Sequence, residues 1–179
     1  MMNSPLIDPA ACSLVLIAPG GDGCAGPGGT YESHRRNSET LLAAAQIVDV
    51  PVFVCCRDAK ADAIARPHRA FVCETHGCIW KNEALREALD SEDRSALILA
   101  GHWLDCEVMI AALCALADCY DVYVPLDASP ERSEAAARLA EARLVQAGAT
   151  PLLTAQILRE WMIEASSGAQ RASLMSLMT

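Results

Sequence analysis

Cysteine is the residue type with the most evident chemistry in this sequence. The chain has nine cysteines among 179 residues, and most of them lie in apolar stretches, where a thiol packs like a small hydrophobic side chain. Four lie in settings that could support chemistry: Cys24, Cys73, Cys78 and Cys106. Glu107 directly follows Cys106 in the sequence.

Two other patterns resemble ligand sites but fit them poorly. Residues 21–26 have the glycine spacing of a dinucleotide fingerprint, yet Pro27 and two further glycines follow, so no helix begins where a pyrophosphate would bind. The residue types of a zinc site occur at Cys73, His76 and Cys78, near His68. No second Cys-x-x-Cys accompanies them, although a structural zinc site takes paired ligands from two such knuckles. We expect neither cofactor nor metal; Cys73 and Cys78 are an alternative redox pair.

Short apolar strands alternating with helices would position these residues. Continuous apolar runs predict strands at about 13–18, 50–56, 96–101 and 121–126, with weaker candidates at 70–73 and 150–154. Strands that are apolar throughout are typical of parallel sheets buried on both faces. The pattern predicts an α/β fold, a three-layer sandwich with a mainly parallel sheet of five or six strands. In such sheets, ligands bind past the carboxyl ends of the strands.

Helices are predicted from apolar spacing and from capping residues. Apolar periodicity indicates helices over about 32–49, 82–89 and 105–118. Ser129 followed by Pro130 predicts a helix start, and Gly148 its end. Thr154 is predicted to cap a helix through Ala165. A single domain is thus expected over 1–165, with a C-terminal tail over 166–179 that is either frayed or docked on a neighbouring subunit.

Composition and charge exclude several classes of protein. Apolar residues make up 53% and charged residues 21%, which excludes a disordered chain. The formal charge of −9 argues against nucleic acid or an anionic membrane as a partner, because both repel an acidic protein. No apolar run approaches the roughly 20 residues of a membrane span. An odd number of cysteines without a basic, apolar leader indicates free thiols and a cytoplasmic location.

Several stretches together resemble a known family. Residues 98–108 read ILAGHWLDCEV, and residues 120–128 read YDVYVPLDA. Further matching segments lie at 140–151 and 158–161, with a weaker one at 79–85. These segments are similar to the isochorismatase-like cysteine hydrolases, and most similar to the small uncharacterised hydrolases of that family that form ring-like oligomers. The resemblance extends from about residue 12 to about residue 162.

The resemblance implies a three-residue chemistry. In the family, a cysteine at the start of a helix attacks an amide or ester-like carbonyl, and the helix dipole and a nearby lysine favour its thiolate. An aspartate at the end of the first strand carries the proton. Backbone amides at the bend before the helix, shaped by a cis peptide bond, hold the oxyanion. The resemblance implies that this bond joins His102 and Trp103.

All three catalytic positions carry other residues in this chain. Ala18 stands where the family has its aspartate, Cys73 where it has lysine, and Glu107 where it has the nucleophile. Cys106 comes one residue too early, which rotates its side chain by about 100° around a helix. We therefore expect a catalytically degenerate member of the family that retains a small-molecule pocket. The expected pocket residues are Ala18, Cys73, Trp80, His102 and Trp103.

Two alternatives remain open at this point. The chain could be an active cysteine hydrolase of a small amide or a related C–N or ester substrate, using Cys106 with Glu107 or His102 as the base. It could also be a non-catalytic subunit whose role is assembly. Family members are commonly homo-oligomers, so self-association is expected, with the apolar helix at 105–118 and the tail as candidate contact surfaces.

Overall fold

The structure is a computed structural model that describes residues 6–18, 30–56, 69–73 and 78–178. Within these ranges, six strands form one sheet in the order β3-β2-β1-β4-β5-β6, and every neighbouring pair is parallel. The strands are β1 Cys12–Ile17, β2 Val52–Cys56, β3 Arg69–Val72, β4 Ala96–Gly101, β5 Asp121–Pro125 and β6 Thr150–Leu152. The predicted α/β fold with a parallel sheet is confirmed.

Helices cover both faces of the sheet and complete three layers. They are α1 Thr30–Ile47, α2 Glu83–Asp90, α3 Met109–Ala117, α4 Glu134–Ala147, α5 Thr154–Glu164 and α6 Gly168–Ser176. Buried side chains of α1, α5 and α6 pack in one hydrophobic cluster, and those of α2, α3 and α4 pack in another. We call these two sides the α1 face and the α3 face. No helix in the described ranges is both long enough and apolar enough to span a bilayer.

The position of β1 in the sheet explains why its sequence is apolar except for Ser13. Leu14 and Leu16 belong to the cluster on the α1 face, whereas Val15 and Ile17 belong to the cluster on the α3 face. All six residues of the strand are buried. A central strand with helices on both sides has no solvent-facing row, so it cannot alternate between apolar and polar residues.

The predicted start of the helix at Ser129 is wrong. Helix α4 begins at Glu134, and the Oγ of Ser133 caps it by accepting a hydrogen bond from the backbone N–H of Ala136 at 3.2 Å. Pro130 lies before the helix, and its carbonyl oxygen accepts the N–H of Leu104 at 2.9 Å. The segment is thus held by a contact distant in sequence. The predicted end is confirmed, since Gly148 is the C-cap with φ of 103°.

Thr154 is the first residue of α5 rather than its cap. Leu153 occupies the capping position, and its N–H is bound by the Gln156 side chain at 2.8 Å. The Thr154 hydroxyl donates instead to Oδ1 of Asp127 at 2.9 Å. This bond ties α5 to the turn after β5, so tertiary contact has replaced local capping.

The segment after Ser166 is folded onto its own chain, so the expectation of a frayed tail is wrong. Ser167 caps α6 by accepting the N–H of Gln170. The Gln170 side chain donates to the carbonyl oxygen of Ile47 at 3.0 Å, and Leu174 is fully buried. Together these contacts dock α6 on the α1 face.

Candidate functional site

The carboxyl ends of β1 and β4 lie side by side at one edge of the sheet. Ile17 pairs with Gly101, and the N–H of His102 donates to the Ile17 carbonyl oxygen at 3.0 Å. Gly101 has φ of 115°, and a Cβ there would lie 2.1 Å from that same oxygen. Only glycine allows the two strands to stay paired while the chain turns away at this point.

A bend and one wide helical turn follow Gly101. The peptide bond between His102 and Trp103 is cis, as the resemblance implied. The rings of these two residues stack with centroids 4.7 Å apart and planes inclined by 6°. Leu104–Val108 then form a π-helical turn, in which the N–H of Val108 donates to the carbonyl oxygen of Trp103 at 3.1 Å. Helix α3 continues from this turn.

Glu107 turns back onto the bend. Its Oε2 accepts the backbone N–H of Trp103 at 3.1 Å. This N–H belongs to the cis peptide, and the family resemblance assigns the oxyanion to backbone amides of this bend. This backbone donor thus already has the carboxylate of Glu107 as its partner.

Cys106 lies beside Glu107 and is half-buried. Burial, then the charge of Glu107 and a hydrogen bond to it, raise the pKa of the Cys106 thiol, and Asp105 adds to the rise. Arg132 opposes these effects, but its guanidinium is bound to Asp105 at 2.7 Å. A raised pKa keeps the thiol protonated at neutral pH, whereas a nucleophilic cysteine requires the thiolate.

A cavity of about 290 Å3 opens on the α1 face of this edge. Its inner wall consists of residues 16–18 at the end of β1, with Gly101 and His102 from the bend, and Ala128 and Pro130 beyond β5. We call it the α1 cavity. Of the expected pocket residues, Ala18 and His102 line it.

Helix α1 supplies the polar wall of the α1 cavity through residues spaced three and four apart, Tyr31, His34, Arg35, Ser38 and Glu39, and the apolar Leu42 follows them. The Tyr31 ring lies 5.2 Å from the His102 ring, centroid to centroid. Arg35 bridges Glu32 at 2.8 Å and Glu39 at 2.9 Å. His34 Nε2 lies 3.7 Å from Oε2 of Glu131. The wall thus combines an aromatic ring, a hydroxyl and paired charges.

Cys73 and Trp80 lie on the α3 face, apart from the α1 cavity. Both belong to the hydrophobic cluster of that face, and each is 8% exposed. A hydrogen bond from Cys55, and a weaker one from Asn82, lower the pKa of Cys73 to about 7, while burial opposes them. Trp80 donates from Nε1 to Oδ2 of Asp118 at 2.6 Å. The structure therefore divides the expected pocket residues between the two faces.

Trp103, Cys106 and Glu107 are not among the residues that line the α1 cavity. The Trp103 ring is linked to the α1 cavity only indirectly, because it stacks on the ring of His102. Among the residues that the structure describes, no cluster of three or more His, Cys, Asp or Glu side chains could hold a metal ion. Residues 21–26, His68 and His76 lie outside the described residues.

The polar wall of α1 is the part of the site that sequence reasoning missed. A signal for it exists in the sequence, because the polar side chains at 31, 34, 35 and 38 share one face of the helix. Tyr31, His34 and Ser38 on that face are partly buried, whereas Arg35 is exposed. A partly buried polar row beside an apolar strand end indicates a cavity.

The sequence and the fold match one family. A family model for the isochorismatase domain matches residues 24–156. The chain belongs to the isochorismatase family. No curated protein sequence matches it.

Several solved structures share this isochorismatase fold. YcaC from Pseudomonas aeruginosa, solved with hexane-2,5-diol and covalent acrylamide, superposes with a TM-score of 0.75 at 19% identity over 100% of both chains. The YcaC gene product from Escherichia coli, described as an octameric hydrolase of unknown specificity, gives 0.72 at 21% identity over 99% of this chain and 92% of its own. MAR1 ribonuclease from Caenorhabditis elegans gives 0.74 at 18%, covering 97% and 92%.

Proposed function

We propose that this chain is a catalytically degenerate member of the isochorismatase family that binds a small molecule in the α1 cavity. The loss of catalysis is inferred from the hydrogen bond that the Trp103 N–H donates to the Glu107 carboxylate at 3.1 Å. The binding of a small molecule is inferred from the polar wall of α1, which faces an apolar strand end.

The carboxylate of Glu107 opposes acyl transfer electrostatically. A tetrahedral intermediate carries its negative charge on the former carbonyl oxygen, which needs backbone N–H donors aimed at it. A substrate oxygen near Trp103 would meet a donor already bound and a second negative charge at the same place. Two negative charges this close together, one on the Glu107 carboxylate and one on the substrate oxygen, repel each other strongly where water is scarce.

The other two catalytic positions add to this argument. Ala18 has no group that can carry a proton, and the resemblance places the proton carrier there. Cys73 holds a thiol where the family has a cationic lysine, so nothing at that position offsets the raised pKa of the Cys106 thiol. Three substitutions at separate strand ends favour loss of activity over a shift of one residue.

The α1 cavity has the size and lining of a small-molecule site. Its volume of about 290 Å3 is near the lower end of ligand pockets, about 300–1,000 Å3. Tyr31 and His102 offer ring faces, Ser38 offers a hydroxyl oxygen, and the strand end offers an apolar floor. Such a lining suits a small planar ligand with one polar group.

The experiment measures turnover and binding on the same preparation. Ammonia release from formamide, acetamide and benzamide should stay at the buffer rate in the wild type and in Cys106→Ser. Turnover that Cys106→Ser abolishes would establish the second candidate, an active hydrolase in which Glu107 serves as base. A specific contact favours that candidate, since the Cys106 thiol hydrogen-bonds Glu107.

Binding is tested with a fragment panel that contains benzamide and benzoate, using ligand-observed NMR. We expect at least one fragment to bind the wild type and to lose binding in Ala18→Phe, which fills the α1 cavity. Ala135→Phe places the same side chain on an exposed turn of α4 and should leave binding unchanged. If no fragment binds, the binding half of the proposal is wrong and a role in assembly becomes the better account.

We also propose a homo-oligomer in the cytoplasm. The Escherichia coli YcaC protein, which shares the fold, is described as octameric. Large apolar side chains are exposed on α4, α5 and α6, including Leu139 at 74% and Ile163 at 68%. All eight cysteines in the described ranges are free thiols, which suits a reducing compartment. The charge of −9 disfavours nucleic acid and anionic membranes as partners.

A further inference from the structure

Two thiols from distant parts of the chain meet on the α3 face. The Sγ atoms of Cys78 and Cys114 lie 3.6 Å apart, although 36 residues separate them. Cys78 directly precedes the 3-10 turn Ile79–Lys81, and Cys114 lies in the middle of α3. We propose that Cys78 and Cys114 form a reversible intramolecular disulfide by exchange with a low-molecular-weight disulfide such as oxidised glutathione.

Accessibility distinguishes this pair from the other thiol pair on the same face. Cys55 and Cys73 also hydrogen-bond to each other, but Cys55 is 1% exposed and Cys73 is nearly as buried. Cys78 and Cys114 are both half-buried, so a small reagent can reach them. The sequence suggested Cys78 with Cys73 as a redox pair; the structure places Cys78 against Cys114 instead.

The exchange occurs in two steps that balance. The thiolate of one cysteine attacks oxidised glutathione, forms a mixed disulfide and releases one glutathione thiolate. The second cysteine, once deprotonated by solvent, displaces the remaining glutathione and closes the protein disulfide. Two protein thiols are oxidised, one glutathione disulfide is reduced to two thiols, and these take up the two protons.

The rate of this exchange should depend on pH. Burial, followed by the hydrogen bond and charge of Cys114, raises the pKa of Cys78 to about 11, although a hydrogen bond from the Trp80 backbone and the charge of Lys81 oppose the rise. The thiolate is therefore scarce at neutral pH and more abundant at pH 9, so exchange accelerates with pH over this range. We therefore expect slow exchange at neutral pH, so the disulfide forms under sustained rather than brief oxidation.

The bridge would reinforce a junction that already exists. A disulfide needs its sulfurs about 2.05 Å apart, so the two thiols must approach by about 1.5 Å from their present separation. One helical turn further along α3, Asp118 already holds the Nε1 of Trp80 at 2.6 Å. The bridge would fix the Ile79–Lys81 turn to α3, the helix that continues from Cys106 and Glu107.

The test equilibrates the full chain with oxidised glutathione at pH 8.5, blocks free thiols with iodoacetamide and maps peptides by mass spectrometry without reduction. A cross-linked peptide joining Cys78 to Cys114 is expected. The melting temperature should rise by about 10 °C, because the bridge closes a loop of this length in the unfolded chain. Dithiothreitol should reverse both effects.

Matched variants make the outcome decisive. Cys119→Ser removes an exposed cysteine and should leave the bridge and the temperature shift intact. Cys114→Ser should stop the reaction at a mixed disulfide of glutathione on Cys78, because the resolving thiol is missing. The proposal is overturned if wild-type Cys78 and Cys114 are each alkylated or glutathionylated separately while Cys119 reacts fully.

Discussion

On the α1 face of the sheet edge, polar side chains line a cavity of about 290 Å3, whereas on the α3 face the polar groups of the bend are bonded to one another. Glu107 binds the N–H of Trp103, the carbonyl oxygen of Pro130 binds the N–H of Leu104, and Asp105 binds Arg132. The two regions share His102 and Gly101, so they are neighbours built from the same bend.

The difference indicates which kind of function each region can support. A backbone N–H that already has a carboxylate partner can serve a substrate only after that bond is broken, at a cost of about 1–3 kcal/mol. Around the α1 cavity, Arg35 is bound to Glu32 and Glu39 in exposed ion pairs, and such pairs give way to a ligand or to water at little cost. This contrast supports the proposal that one region binds a ligand while the polar groups of the other stabilise the fold.

The largest expected effect concerns Gly101, where the two regions join. Gly101→Ala places a Cβ 2.1 Å from the Ile17 carbonyl oxygen at φ of 115°. Backbone strain and overpacking together should lower the free energy of unfolding by about 4 kcal/mol. Urea unfolding followed by circular dichroism measures the loss.

Gly148→Ala is the matched control for this prediction. Its φ of 103° is similar, but a Cβ there would meet nothing within 4 Å. Only the positive φ is then unfavourable, and the expected loss is about 1 kcal/mol. Equal losses in the two variants would show that the close approach of β1 to the bend has no energetic weight.

A smaller effect is expected from the polar contacts on the α3 face. Trp80→Phe keeps a large aromatic side chain but removes the hydrogen bond to Asp118 at 2.6 Å. Because Asp118 can be rehydrated, loss of the hydrogen bond should cost about 1.5 kcal/mol, and the space left by the smaller ring should add about 1 kcal/mol. Thermal unfolding at constant pH measures it.

Tyr120→Phe provides the comparison on the same cluster. The Tyr120 hydroxyl donates to Asp90 at 3.0 Å in an exposed position, so its removal should cost about 0.5 kcal/mol. Burial and Asp90 raise the pKa of Tyr120 to about 12. The stabilising contribution is therefore complete below pH 10 and lost between pH 10 and 12. A larger loss in Tyr120→Phe than in Trp80→Phe would contradict this assignment.

Most of the fold could be predicted from the sequence, because strands buried on both faces have an unmistakable apolar pattern. β1, β2, β4 and β5 follow that pattern within two residues at each end. The errors fall where a tertiary contact replaced a local one. Ser129 carries a good capping residue type, yet the neighbouring Pro130 carbonyl is bound to Leu104, and the helix begins at the next suitable serine.

The site was harder to predict, because its geometry depends on a helical turn that sequence periodicity does not reveal. Cys106 and Glu107 would point about 100° apart only in an ordinary α-helix. The turn is π-helical, so residue spacing alone does not fix where either side chain lies. The return of Glu107 to the Trp103 N–H depends on this turn, and the polar row of α1, although visible in the sequence, gains a meaning only when it is placed beside the end of β1.

The last expected effect is on reactivity rather than on stability, and it tests the electrostatics of the bend. Burial and Glu107 raise the pKa of the Cys106 thiol, so its alkylation by iodoacetamide should increase only at a higher pH than that of a free cysteine, whose pKa is about 8.5. Glu107→Gln removes the charge and keeps an oxygen that can accept the Trp103 N–H. The pKa of Cys106 should fall, and peptide-resolved alkylation at pH 7.5 should accelerate about fivefold.

Arg132→Gln should act in the opposite direction. Arg132 lowers the pKa of Cys106, and its removal also leaves Asp105 without its ion-pair partner. Both consequences disfavour the thiolate, so alkylation of Cys106 should slow in this variant. If the alkylation rate of Cys106 changes in opposite directions in the two variants, the charges of Glu107 and Arg132 control the pKa of this thiol. If Glu107→Gln leaves the rate unchanged, the carboxylate does not govern the thiol, and the contrast between the two faces loses its electrostatic basis.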